Sequence, residues 1–207
     1  MSEARCNGVL RQMLEEYGPV LLRLAAGSIS HGLTWGKPIH VDKATFAAEL
    51  AADGACFVTL KHAGQLRGCV GSARAHRPLI NDVAANAFAA AFADRRFPEL
   101  KVAERQGLGL SVTVLSPPQP IAFTSEATLC AELRPYVDGL IIECDGRSAV
   151  FLPQVWEVLP APRLFLGELK AKAGLAPHDW SPGFKAWRFV AQSVSSEVLD
   201  RPEALWL

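Results

Sequence analysis

Leu66-Arg67-Gly68-Cys69-Val70-Gly71-Ser72 is the stretch from which the rest of the chain is read. It follows a short apolar run, Ala55 to Leu60, and the turn-forming residues His62-Ala63-Gly64-Gln65, so the two runs read as a hairpin with 66–72 as its second arm. Glycine inside a strand marks a bulge, a bend or a close approach, and two glycines bracketing a thiol imply close access to it. Arg67, Arg74, His76 and Arg77 lie within eight positions of Cys69, and nearby cations favour thiolate over thiol. Cys69 is therefore the first candidate for a reactive group. In that role Arg67 binds an anionic substrate or holds the thiolate, His62 or His76 moves a proton, and Gly68 and Gly71 open the approach. The competing reading is a packed Cys69, because free cysteine is often fully buried and behaves there as a small hydrophobe.

Downstream, Pro78 opens a buried helix in which Leu79, Ile80, Val83, Ala84, Ala87, Phe88, Ala91 and Phe92 recur at three and four residues. Asp94-Arg95-Arg96-Phe97-Pro98 closes it, with arginines at the negative end of the helix dipole. If the Cys69 strand runs back along this helix, Asp94, Arg95 and Arg96 converge with Cys69 and form a polar binding wall; otherwise they only terminate the helix. Leu108 to Val114 alternates as a strand, and Pro117, Pro118 and Pro120 force a loop. A short helix at Glu126 to Leu133 precedes a hairpin, Val137 to Glu143 and Arg147 to Leu152, turning at Asp145-Gly146. Pro153 begins a helical turn, Pro162 to Ala173 is a helix ended by Gly174, and Phe184 to Val194 reads as one last strand before a tail, Arg201 to Leu207, that frays.

Upstream, residues 3–16 have helical spacing, and Gly18-Pro19 ends that helix and starts a second, which stops near Gly32. Asp42 caps a third, Ala44 to Ala52, with Gly54 after it. Strands arriving in hairpins, with helices between the pairs, give an α+β fold with antiparallel sheets.

Lys plus Arg and Asp plus Glu are equal at 21 each, so no field of one sign draws in nucleic acid or an anionic membrane. The apolar residues of 1–14 are interrupted by Arg5, Asn7, Arg11 and Gln12, which leaves no signal-peptide core, and no run approaches the roughly 18 apolar residues of a membrane span. Five scattered cysteines point to a reduced, cytoplasmic protein. His62, Cys69 and His76 are spaced by seven but match no metal template, so no metal ligand is assigned, and the sequence names no cofactor. There is no phosphate-binding loop, Gly-x-Ser-x-Gly elbow or His-Glu-x-x-His helix.

Leu66 to Gly71 resembles the Leu-Arg-Gly-Cys-Ile-Gly hallmark of the AMMECR domain family, with Val70 in place of the isoleucine. Ala90 to Pro98 resembles the family's Ala-Phe-x-Asp-x-Arg-Phe-Pro block, and Leu110 to Leu115 its Val-Ser-Val-Leu strand. Phe151 to Glu157, Phe165-Leu166, Leu169-Lys170 and Lys172 to Leu175 are similar to the bacterial branch called AmmeMemoRadiSam system protein A, which also shares Asp138 where the animal branch carries histidine. The match spans residues 12–192 as one domain, leaving 1–11 as an N-terminal extension and 193–207 as a C-terminal tail. The resemblance implies a two-lobed AMMECR-like fold, the larger lobe holding both chain ends and the smaller inserted, with a groove between them near Cys69. It also implies partners: a Memo-like protein and a radical S-adenosylmethionine enzyme. Two functional readings follow: a cysteine-dependent enzyme or catalytic subunit, and a non-catalytic protein whose groove binds a peptide, partner or small molecule.

Overall fold

The computed structural model describes residues 3–176 and 178–206. The chain divides into two compact units, the first formed by Met1–Leu115 with Gln192–Leu207 and the second by Ser116–Ala191.

In the first unit, helix α1 (Glu3–Trp35) and helix α3 (Leu79–Phe92) share a core with the sheet formed by β1 (Ala55–His62), β2 (Gln65–Gly71), β3 (Leu108–Leu115) and β8 (Ala191–Ser195). The strand order is β2-β1-β3-β8, and β1 runs antiparallel to both β2 and β3. Alternation along the strands decides which face is dry. Cys56, Val58 and Leu60 on β1 and Leu108, Leu110, Val112 and Val114 on β3 are buried in the core, whereas Phe57, Thr59 and Ser111 between them are only half-buried. Leu21, Leu22, Ala25, Ala26 and Ile29 of α1 and Ile80, Val83, Ala84 and Ala87 of α3 fill the other side of that core. The Ser28 hydroxyl ties the two helices by donating to the Ala84 carbonyl at 2.7 Å.

Several expectations are corrected. The two helices expected on either side of Gly18-Pro19 are one helix with Pro19 inside it. Proline removes one N–H from the ladder, but in so long a helix packing outweighs local propensity, and Gly18 lies so close to Val194 that a Cβ there would be 2.9 Å from its methyl. Gly32 is likewise interior, against Phe88 and Phe92, and the helix stops at Gly36, whose φ is +65°. The helix expected at Ala44 to Ala52 is a 3-10 turn (Lys43–Thr45) and a single turn α2 (Ala48–Ala51), because Phe46 between them is extended; Asp42 does cap the first, accepting from Ala44 N at 3.0 Å.

The strand expected at Phe184 to Val194 is two strands in different sheets, β7 (Lys185–Phe189) and β8. Val190 between them is pinned by Ser116, which donates its N–H to the Val190 carbonyl at 2.9 Å and accepts the Val190 N–H on its hydroxyl at 3.0 Å. The tail does not fray. A 3-10 turn (Pro202–Trp206) docks on the first unit, with Trp206 only 7% exposed and its Nε1 donating to the Leu108 carbonyl at 3.1 Å; Leu207 lies outside the described residues. Residues 3–11, read as an extension, are the first turns of α1, and Met1 and Ser2 lie outside the described residues.

The second unit holds β4 (Gln119–Pro120), α4 (Glu126–Glu132), β5 (Gly139–Cys144), β6 (Arg147–Phe151), α5 (Pro162–Lys172) and β7, with strand order β4-β7-β5-β6. Its core gathers Leu140, Ile142, Leu166 and Leu169 around Trp156 and Phe165, whose rings stack 3.8 Å apart. Both hairpin turns place two residues at positive φ, Ala63-Gly64 and Asp145-Gly146, the geometry that matches the right-handed strand twist. The architecture is α+β with two antiparallel four-stranded sheets.

Candidate functional site

Cys69 sits opposite Thr59 on β2, an outer strand of its sheet. An outer strand presents main-chain donors and acceptors that invite pairing with another chain. Here the acidic and basic residues after α3 take those groups. The Cys69 N–H donates to the Asp94 carboxylate at 2.9 Å, and Arg96 Nη2 donates to the Cys69 carbonyl at 3.0 Å. Asp94 and Arg96 are bonded to each other at 2.7 Å, so the pair offers β2 one acceptor and one donor, as a neighbouring strand does. The thiol has a further partner, the Thr59 hydroxyl, 3.4 Å from Sγ. Cys69 is half-buried, while Cys6, Cys56, Cys130 and Cys144 are buried.

Among the expected site residues, the structure brings Asp94 and Arg96 to Cys69, Asp94 through the Cys69 main chain and Arg96 through the Cys69 carbonyl and also its thiol side chain. Arg95 is exposed and makes no hydrogen bond or ion pair among the described residues. Arg67 has another role. The β1–β2 register shifts between Leu60 and Lys61, so Arg67 is an extra, bulged residue, and a bulge re-aims its side chain. Its guanidinium makes a two-point bond with Glu104, Nε to Oε1 at 2.7 Å and Nη2 to Oε2 at 3.1 Å. Phe97 lies between two guanidiniums, its ring centre 6.0 Å from Arg67 and 5.5 Å from Arg96. His62 is exposed at the turn of the hairpin, and His76 is exposed in the following loop beside the Arg74 carbonyl at 3.2 Å; neither hydrogen-bonds Cys69.

The two glycines have a packing explanation in place of the access expected of them. A Cβ on Gly68 would lie 2.0 Å from the Ala90 carbonyl oxygen of α3, and one on Gly71 would lie 2.2 Å from the Phe57 ring. Neither residue has positive φ, so the requirement is close approach alone.

The side chains that sequence reasoning missed are Thr59, Glu104 and a buried hub at Asp82. Asp82 is fully buried and accepts from Cys56 N at 3.0 Å, Cys56 Sγ at 3.4 Å, Asn86 Nδ2 at 2.9 Å, Ser72 Oγ at 2.8 Å and Arg77 Nε at 2.8 Å. The one available signal was that Asp82 and Asn86, four apart, interrupt the apolar face of α3. Burial, then the Asp82 charge, push the Cys56 thiol well up, which leaves it an inert core group. In the second unit Asp138 is also fully buried, hydrogen-bonded by Arg134 N at 2.9 Å and by the Arg134 guanidinium, and ion-paired with Arg188 Nη1 at 3.8 Å. No group of three or more His, Cys, Asp or Glu able to hold a metal occurs among the described residues, and no helix there is long and apolar enough to cross a membrane.

The bond from Arg67 holds the Glu104 carboxyl at about 2, against an ordinary value of 4.5. A folded-state value below the unfolded one means stability that is complete above the ordinary value and lost as pH falls through the folded one. Asp94, held down chiefly by Arg96, acts in the same direction. Denaturant midpoints should therefore fall as pH drops from about 5 to about 2, and Glu104→Gln should remove about 1 kcal/mol of that dependence, since the pair is partly solvated. An unchanged pH slope in Glu104→Gln would show that the pair carries no such linkage.

This fold recurs in a solved structure, and the sequence has curated relatives. The chain is 33% identical to an uncharacterized protein of Pyrococcus horikoshii whose crystal structure superposes with a TM-score of 0.80, covering 87% of this chain and 91% of that one. It is 38% identical over 142 residues to a protein of Methanothermobacter thermautotrophicus, covering 66% of this chain and 72% of that protein. A protein of Methanocaldococcus jannaschii is 32% identical over 204 residues, covering 95% of this chain and 98% of its own length. The family model AMMECR1 matches residues 22–194, a span that contains the Cys69 edge, the Asp94-Arg96 pair and the Asp82 hub, and the chain belongs to the AMMECR1 family.

Proposed function

We propose that the chain is a thiol-bearing component that works with a Memo-like protein and a radical S-adenosylmethionine enzyme, with Cys69 as the reacting group. The observation that carries this reading is that Cys69 alone among the five cysteines is not buried, and that its sulfur faces a hydroxyl donor, Thr59, able to stabilise a thiolate. The partner assignment rests on the likeness of Phe151 to Leu175 to the bacterial AmmeMemoRadiSam branch. Five free cysteines support a reducing, cytoplasmic setting.

Brief alkylation of the folded protein, followed by peptide mass mapping, should label Cys69 at least about tenfold faster than any other cysteine. Faster labelling at Cys6, which is buried on α1, would reverse the reading. A specific feature favours a second reading, a binding protein with a structural Cys69: no histidine or carboxylate hydrogen-bonds the sulfur among the described residues, and the bonds of Asp94 and Arg96 to the Cys69 main chain are ones that serine would present equally well. Cys69→Ser, co-expressed with the two partners, separates these. Retained complexes with loss of any product formed by the wild-type set support the reacting thiol, and retention of both supports the binder.

A further inference from the structure

Away from Cys69, the first unit has a cavity of about 580 Å³ between the start of β3 and the docked C-terminal turns. That volume lies within the range of small-molecule sites, roughly 300–1,000 Å³. Its apolar part is Leu108 and Trp206, and the hydrogen bond from Trp206 Nε1 to the Leu108 carbonyl fixes the indole. Three charged side chains line it as well: Arg105, Glu197 and Glu203. Most of the arginines described above are tied to a carboxylate: Arg67, Arg77, Arg96, Arg134 and Arg188. These three lining charges have no side-chain hydrogen bond or ion pair among the described residues. A cation and two anions of this kind, set around a held aromatic, are complementary to a ligand with its own carboxylate, ammonium and apolar body.

We infer that this cavity binds a small zwitterion with an apolar side chain, of the α-amino-acid class. Arg105 receives the carboxylate, Glu197 and Glu203 receive the ammonium, and the apolar body lies against Leu108 and Trp206. The site is separate from Cys69 and stands whether or not that thiol reacts.

Three probes of one shape test it: L-phenylalanine, phenethylamine, which lacks the carboxylate, and 3-phenylpropionate, which lacks the ammonium. Binding is read by calorimetry and by the shift of the Trp206 indole N–H signal in nitrogen-15 spectra, assigned with Trp206→Phe. L-Phenylalanine should bind about five- to tenfold more tightly than either truncated probe, the loss expected for one charge-assisted contact. Glu197→Gln with Glu203→Gln should weaken phenylalanine and phenethylamine but not phenylpropionate, and Arg105→Gln should weaken phenylalanine and phenylpropionate but not phenethylamine. Glu197 and Glu203 are exposed and Arg105 is only partly buried, so the variants should keep the wild-type melting temperature. No Trp206 shift with millimolar phenylalanine, equal affinity for the three probes, or charge variants that leave the ranking unchanged would each overturn the inference.

Discussion

Gly68→Ala should be among the most destabilising single substitutions in the chain, lowering stability by about 3–5 kcal/mol and the melting temperature by about 10 °C. The added methyl would stand 2.0 Å from the Ala90 carbonyl oxygen and 3.0 Å from its carbon, atoms of the α3 main chain. A side chain in that position could rotate away; a helix backbone can only move as a whole, and moving α3 opens the core it shares with β1, β2 and α1. Since domains are stable by only about 5–15 kcal/mol, the loss is a large share of the total. Gly71→Ala is the informative partner. Its clash is with the Phe57 ring at 2.2 Å and the Cys56 carbonyl at 2.6 Å, and the ring can swing even though the carbonyl cannot. Urea midpoints of the two variants should rank Gly68→Ala below Gly71→Ala, both below wild type. A Gly68→Ala protein within about 1 kcal/mol of wild type would mean that β2 and α3 are not held at this distance in solution.

Asp82→Ala should cost about as much, 3–5 kcal/mol, for an electrostatic reason. The carboxylate is fully buried, and five donors converge on it from β1, the end of β2, the loop before α3 and α3 itself. Alanine leaves the Cys56 N–H and one bond of the Asn86 amide without their acceptor, in a place water does not reach, at about 1–3 kcal/mol for each unsatisfied group. Arg77, one-third exposed, recovers solvation and adds little. Ser72→Ala removes one donor and leaves four, so it should cost only about 1 kcal/mol. Hydrogen exchange at the Cys56 amide should accelerate in Asp82→Ala well beyond the change in global stability. Equal small losses for Asp82→Ala and Ser72→Ala would deny that the carboxylate is the hub.

Both variants lie where the sequence is least legible. Local periodicity and turn chemistry carried α3, β1, β2, β3 and β5, and the turns at Gly64 and Asp145-Gly146, because those depend on residues a few positions apart. They also carried the antiparallel α+β class, and the Leu66 to Gly71 and Ala90 to Pro98 blocks carried the family. Where the decisive contact joined distant residues, local signals misled. Pro19 reads as a helix start until Leu21, Leu22 and Ile29 find a core that holds the helix through it. Phe184 to Val194 has uniform strand character, and only the bonds of Val190 to Ser116, 74 positions away, divide it between two sheets.

The same division runs through the candidate site. From the sequence alone came the thiol to watch, Cys69, and two alternatives for the Asp94-Arg96 block, a wall beside Cys69 or a mere helix terminus. Tertiary structure decided what each neighbour does. Arg67 is only two positions from Cys69 in sequence, yet its charge is taken by Glu104, 37 positions on, because a bulge turns it away. The glycines that looked like an opening are the contact surface of β2 with α3 and with Phe57. Asp82, which reads as one polar residue on a helix, is the acceptor for four other residues. Hydrogen-bond partners and steric limits are set by which surfaces meet at packing distance, and no spacing along the chain encodes that until the helix lies on the sheet.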